Sequence, residues 1–506
     1  MESWQVTVLI VFLYAALIMF VGTGKWTKGG TIRMDDYFKV GPGFGFIVLY
    51  LGIAGGFHTA FAIPGSMGFY YTHGVAFAAN ILWTVFTPLG VIYFIGSRIT
   101  CLGKKFNYIT PADMLADYFG DGKFRAFIAI YILTCCIPLM TANITGPAIL
   151  LSSGTEGHIP YWGALTMMGI MVTIYVTTSG MRGLTWTTVA QAIWMFVAIW
   201  LAAFWCLSLI DGNLLDLFNS IKSSQPELLT LPGPQGRATP EWWLTWPVFG
   251  IALYWAILPR GFLFFYSARD VKTTRKIGLT VGIYLMALYL PALVIGFATF
   301  QLMPGLAGDA SFPALLAKHA PWWGGFIIAG GLAAGMSSLD ADTNANSAML
   351  TKDVYSKFVN KDASQKHYIN IGRVFMVSLV AITVFASFWK WGLVAIMIGV
   401  TASMITQLLP AVLAVTVPTG LRITKAGIVS GIIVGFFVAI AVMYNGKDFL
   451  GISIPALPEG LRFDASFWGL VFNIPVMLIV SQFTTEPNPE AVARIRKALD
   501  DEFKLN

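Results

Sequence analysis

Charge is scarce in this 506-residue sequence: 11% of its residues are Asp, Glu, Lys or Arg, against 57% that are hydrophobic. No ordinary soluble domain needs that much apolar surface, and the mean hydropathy of +0.71 excludes that class. Cysteine is also rare. Of Cys101, Cys135, Cys136 and Cys206, three fall inside apolar runs, and adjacent cysteines are poor partners for each other, which excludes an extracellular disulfide framework. No His/Asp/Glu metal cluster, nucleophile–base motif or phosphate-binding glycine loop occurs at useful spacing, which argues against a membrane enzyme and an organic cofactor. No filter loop or subunit symmetry of a channel is visible. The net charge of +7 is not gathered into a basic patch on a soluble domain, so no nucleic-acid partner is implied. The first apolar segment lacks a basic leader and a cleavage site before Lys25, and reads as a retained helix rather than a signal peptide.

What the sequence has is long apolar runs. About thirteen reach membrane-spanning length, at roughly 4–23, 43–70, 74–98, 124–152, 161–179, 184–209, 244–268, 275–303, 322–345, 368–389, 391–418, 421–443 and 465–484. Lipid cannot hydrogen-bond a backbone, and the runs lack the alternation of barrel strands, so they are expected to be helices. An all-α membrane protein follows, with a single transporter-sized domain over 1–484 and a short charged tail over 485–506. If the N-terminus lies outside, 25 of the 32 Lys and Arg fall on inner segments, six on outer ones, and Arg260 alone within a span. That bias predicts an outer N-terminus and a cytoplasmic C-terminus in the plasma (inner) membrane. The basic loops then face anionic lipid.

Two spans carry breaks. Span 2 contains Gly52-Ile53-Ala54-Gly55-Gly56 and then Pro64-Gly65; span 7 contains Pro247, Gly250 and Pro259, with Arg260 beside the last. The two spans sit five apart, and an odd repeat inverts the second copy. Breaks in matching helices of inverted repeats point to a transporter's binding site, although Gly and Pro are common in membrane helices generally. Repeat one would run over about 43–209 and repeat two over about 244–418. A third feature is the polar block from Ala334 to Ser347 at the end of span 9, which includes Ser337, Ser338, Asp340, Asp342, Thr343, Asn344 and Asn346. Polar groups at that depth are costly and are usually kept for function. Ala334 lies one helical turn before the two serines, so its carbonyl and their hydroxyls share one face, as suits a small monovalent cation.

Several segments resemble the sodium/solute symporter family. The stretch SGMRGLTWTTVAQ at 179–191 is similar to the family's GGMRAxxWTDxxQ segment. LGKKFNYITPAD at 102–113 is similar to an inner-loop motif, and the serine block ending in TKDVY at 351–355 is similar to its SSLxSxLNSxxxxxTxDxY run. The resemblance spans all thirteen segments. It implies a five-plus-five inverted-repeat (LeuT-like) core with extra helices at both ends, and import of a small organic solute by alternating access coupled to Na+. It also implies a sodium site held by the Ser337 and Ser338 hydroxyls and the carbonyls of Ala334, Gly52 and Gly55. Against this stands the plainer role of the serines as close-packing or self-bonding helix residues.

The sequence departs from the family pattern in one region. Many relatives carry an aspartate where this chain has Thr188, and uncharged residues where it has Asp340 and Asp342. Thr188 and Asp340 are therefore a candidate second cation or proton site, with the carboxylate moved from span 6 to span 9. The alternative is that both aspartates are solvated at the inner interface or paired with Lys352 or Arg182. Phe57, His58 and Thr59 follow the first break and are candidate solute contacts, as are Tyr254 and Arg260 at the second. His58 is the titratable one. Arg260 is a fork for a carboxylate, unless it snorkels to the inner surface. Its surroundings are most similar to the acetate and monocarboxylate branch of the family, which points to a small carboxylate. Proton coupling on the same fold and a transporter-like nutrient sensor are the alternatives. The oligomeric state is left open, with a monomer as the default.

Overall fold

A computed structural model describes residues 1–23, 34–39, 44–120, 122–210, 213–234, 239–320, 323–389, 394–449, 452–455 and 463–504. Of the basic residues used for orientation, Lys25, Lys28, Arg33, Arg237, Lys390 and Arg462 lie outside the described residues. Apart from a short strand pair, Asp448–Phe449 with Ile452–Ser453, the described elements are helical. Among the described residues, nine helices are long and apolar enough to cross a membrane, and two bent pairs raise the number to eleven. The 49-residue helix Tyr161–Leu209 is two spans joined at Gly180, whose φ of 58° and ψ of −177° are not helical. Only glycine adopts that conformation without strain, and a Cβ there would also press on Tyr37 at 3.2 Å. The helix Gly324–Met349 is long enough to cross, but its second half is the polar block. With it and the division at Gly180, the helices correspond to the thirteen segments expected from sequence.

Large apolar side chains stand on the outer surface, among them Leu13, Phe20, Phe204, Ile283, Phe385 and Phe437. In water such a belt would be a liability; in a bilayer it is the lipid-facing wall. The interior is made by close helix approach. A Cβ on Gly331 would lie 2.0 Å from Leu150 Cδ2, and one on Gly335 would lie 2.3 Å from the Asn143 carbonyl oxygen. Small residues thus let Gly324–Met349 press against the helix Gly122–Gly154.

Charged groups gather at one end. Thr110 caps the short helix Pro111–Phe119 by accepting from the Asp113 N–H at 3.0 Å, and its hydroxyl donates to Asp353 at 2.6 Å. Asp113 pairs with Arg125 and, at 2.6 Å, with Lys352. Burial works against the Asp113 carboxylate, but Lys352 and Arg125 outweigh it and hold it below the usual range. Burial and the nearby Asp113 push Asp353 up to about 7. The amphipathic tail helix Pro489–Phe503 docks here through Arg494 on Asp117 at 2.6 Å and Lys105 on Asp501 at 3.2 Å. A cavity of about 580 Å³ opens among these residues. It lies at the charged end and not at the helix breaks.

Candidate functional site

The first broken span consists of Phe46–Phe57 and Phe61–Ala78, bent by 73°. Helix hydrogen bonding stops at His58 and Thr59, and local groups take up the freed backbone. The Ala60 N–H donates to Asn143 Oδ1 at 3.0 Å, and the Phe61 N–H donates to Thr59 Oγ1 at 3.2 Å. Carbonyls at the end of the first half are left pointing at the serine helix Gly324–Met349. Ser337 Oγ donates to the Gly55 carbonyl at 3.1 Å and to its own Ala334 carbonyl at 3.2 Å. Ser338 Oγ donates to the His58 carbonyl at 2.6 Å and the Gly56 carbonyl at 3.3 Å. Two hydroxyls and four carbonyls therefore meet in one buried place, and all are neutral. Carbonyls and hydroxyls without formal charge are the donor set suited to a small monovalent cation.

Of the sequence-expected oxygens, Ala334, Ser337, Ser338 and Gly55 are brought together. Gly52 is not at the meeting point. It lies a turn earlier in the continuous helix, where a Cβ would meet Thr185 Cγ2 at 3.1 Å and Phe264 Cε1 at 3.3 Å. Gly56 and His58 occupy the place expected for it. Asn143, which steadies the break, escaped the sequence reading; its signal was a lone amide between Pro138 and Pro147 in an apolar helix.

The second broken span consists of Pro240–Ala256 and Pro259–Ser267, bent by 54°. Leu258 leaves the helical conformation (φ −55°, ψ 129°) and Pro259 opens the new half, with Arg260 as its second residue. Arg260 is 1% exposed, so it does not snorkel. Its Nη1 donates to Asp342 Oδ2 at 2.7 Å and approaches the Ser338 carbonyl at 3.5 Å. The guanidinium lies over the Trp255 ring at 4.5 Å, a stacking geometry that favours Arg. Nε and Nη2, which form one edge of the fork, have no hydrogen-bond partner among the described residues.

Aromatic rings join the two breaks. Phe57 packs on Trp255 with centroids 3.9 Å apart and reaches Trp83 at 6.3 Å. Tyr254 is buried beside Trp255 at 5.2 Å. The His58 ring lies between Tyr284 at 5.5 Å and Tyr289 at 5.7 Å, and neither ring nitrogen has a hydrogen-bond partner among the described residues. Thr59 is spent on the backbone of the break. Between Phe57, Gly56, Trp255 and Gly261 only about 10 Å³ of space is left, so the breaks are shut on each other.

Asp340 and Asp342 are both buried, and neither pairs with Lys352 or Arg182 among the described residues. Asp342 goes to Arg260. Asp340 accepts from the Tyr175 hydroxyl, with Oδ2 left unpartnered among the described residues. Thr188 Oγ1 donates to the Leu184 carbonyl at 2.9 Å within its own helix, and Thr188 packs on Gly55. No hydrogen bond joins Thr188 to Asp340 among the described residues. Close by, Gln191 Nε2 donates to the Tyr14 hydroxyl at 3.2 Å, bringing the first helix, Ser3–Thr23, into contact with the core.

The sequence model of the sodium:solute symporter family matches residues 37–435. The uncharacterized symporter YhjB of Bacillus subtilis is 25% identical over 489 residues, covering 96% of this chain and 98% of that protein. The uncharacterized symporter YwcA of the same organism is 23% identical over 411 residues, covering 78% and 76%. Among solved structures, a Na+-coupled sialic acid symporter in a substrate-bound outward-open state superposes with a TM-score of 0.76 at 16% identity, covering 96% of this chain and 98% of that one. The nucleobase-cation-symport transporter Mhp1 in a closed conformation gives 0.50 at 14%, covering 94% and 100%. At these identities the likeness is one of fold: an all-α, five-plus-five inverted-repeat architecture of secondary transporters.

Proposed function

The chain belongs to the sodium:solute symporter family, and from that premise we propose that it is a sodium-coupled importer of a small carboxylate. The observation that carries this reading is the meeting of both breaks on one helix. Ser338 offers its hydroxyl to the carbonyls of the first break and its carbonyl to Arg260 of the second. A cation bound among Ser337, Ser338, Ala334, Gly55, Gly56 and His58 would be next to a solute held by the free edge of Arg260. Phe57, Trp255 and Tyr254 would enclose the solute's apolar part, and His58 would face it. Because the breaks are closed on each other, the halves must part for solute to pass, as alternating access requires. The N-terminus is taken as outside. This is supported by the convergence of Lys105, Asp113, Arg125, Lys352 and Arg494, drawn from segments all assigned to the inner side.

The test is thermal unfolding of the purified protein with acetate, propionate, lactate or pyruvate, each in sodium and in choline buffer. A ligand that binds only the folded state raises the midpoint. Stabilisation by one of these in sodium alone is the expected result. Equal stabilisation in choline would overturn sodium coupling and favour a second reading. In that reading Asp340, buried with one oxygen unpartnered beside Tyr175, carries a proton instead. Failure of every carboxylate would overturn the solute class.

A further inference from the structure

Arg260 and Asp342 form a buried ion pair at the centre of the proposed site, 1% and 0% exposed. Out of water, such charges act strongly on their neighbours. The pair is neutral as a unit. Its geometry is asymmetric, however: Asp342 takes Nη1 only, and the Nε–Nη2 edge stays free for a bidentate grip on a second carboxylate. Arg260 can therefore hold a solute carboxylate without releasing Asp342, but its positive charge is already balanced. A carboxylate solute would bring the buried seam to a net charge of −1.

We propose that Asp342 is a coupling residue. By neutralising Arg260 in advance, it leaves the solute's negative charge to be balanced by the cation held beside Ser338. The proposal rests on the reading of Arg260 and the two serines given above. The cation and the solute then strengthen each other's binding by the same factor. If Asp342 were neutral, Arg260 would hold the solute unaided and repel the cation, whose site it touches through the Ser338 carbonyl. Asp340, two residues earlier on the same helix, is turned to Tyr175 and does not share this role.

The experiment titrates sodium alone into the purified full-length protein in choline buffer, following the unfolding midpoint, so no solute need be known. Asp342→Asn should weaken apparent sodium affinity by about tenfold or more, the scale of one uncompensated charge at close range. Arg260→Gln, which removes the repelling charge and leaves Asp342 uncompensated, should strengthen it. The double variant should return close to the wild-type value. Single variants that move sodium affinity in opposite directions and cancel together are not the signature of a merely structural pair. If Asp342→Asn does not fold, Arg260→Gln and the double variant still decide the matter. Weakening by Arg260→Gln, or a double variant about tenfold or more weaker than the wild type, overturns the proposal. A wild-type protein with no sodium-dependent shift overturns the sodium reading itself, an outcome distinguished by needing no variant.

Discussion

The two broken spans do the same thing to the backbone and opposite things to charge. In the first, the half Phe46–Phe57 ends at the break, so its last carbonyls face the serine helix, and the partial negative end of a helix suits a cation. In the second, the half Pro259–Ser267 begins at the break and Arg260 adds a full positive charge. Inverted repeats place these unlike ends side by side, and Ser338 touches both. On the function proposed above, symmetry of fold would make this a dipolar site, with a cation position and an anion position separated by one residue of one helix.

The largest effect is expected from Arg260→Lys. Lysine keeps the positive charge but loses the planar fork. If the second break works by geometry, stabilisation by the carboxylate should weaken by about a hundredfold, the value of two lost charge-assisted hydrogen bonds, while sodium binding alone changes little. If charge were all that mattered, lysine would retain most of the solute affinity. Unfolding midpoints against solute concentration, at saturating sodium, separate the two.

Next come the serines. Ser337→Ala and Ser338→Ala each remove a neutral oxygen from the first break. Each should weaken apparent sodium affinity by about tenfold, or roughly 1.4 kcal/mol. Ser338→Ala should also shift solute binding in low sodium, because its backbone neighbour is Arg260, and Ser337→Ala should do so less. Equal effects on the solute from both would mean that the two halves of the site communicate by another route.

A smaller effect concerns how tightly each break is packed. A Cβ on Gly55 would lie 2.7 Å from the Thr188 carbonyl oxygen and 2.8 Å from Thr188 Cγ2, whereas one on Gly261 would lie 3.0 Å from the Trp255 carbonyl oxygen. Overpacking of this kind costs about 1–3 kcal/mol. Gly55→Ala should lower the unfolding midpoint more than Gly261→Ala, and a reversed order would show that the second break is the more rigid one.

Much of this arrangement could be read from sequence. The apolar runs fixed the number of helices, and glycine and proline marked both breaks, because those residues act locally on the backbone. The serine pair was legible because it shares a helix face with Ala334. The Arg260–Asp342 pair was not. The two residues are 82 positions apart; in the sequence Arg260 reads as a fork for a carboxylate or a snorkelling side chain, and Asp342 as solvated at the inner interface or paired with Lys352 or Arg182. Only the packing of two helices shows that each is the other's counter-ion. The oxygens of Gly56 and His58 were missed for a related reason. A break is visible as composition, but which carbonyl it frees depends on where the hydrogen-bond ladder stops.

The smallest expected effect tests what steadies the second half of the first broken span, Phe61–Ala78. The helix Gly308–His319 lies against it so closely that a Cβ on Gly68 would meet the Gly308 carbonyl carbon at 2.6 Å. Asp309 anchors this helix, its Oδ2 accepting from the Val394 N–H at 2.9 Å. Burial pushes the Asp309 carboxyl up from 3.8 to about 7. The folded protein therefore holds this proton more tightly than the unfolded chain does. The contribution to stability is full below the unfolded value, declines as pH rises through the folded one, and is constant above it. The unfolding midpoint of the wild type should thus fall between about pH 5 and pH 7 relative to that of Asp309→Asn, which has no proton to lose. Parallel curves for the two proteins would mean that Asp309 ionises without strain. The second half of the first broken span would then owe its support here to the close backbone contact at Gly68 alone.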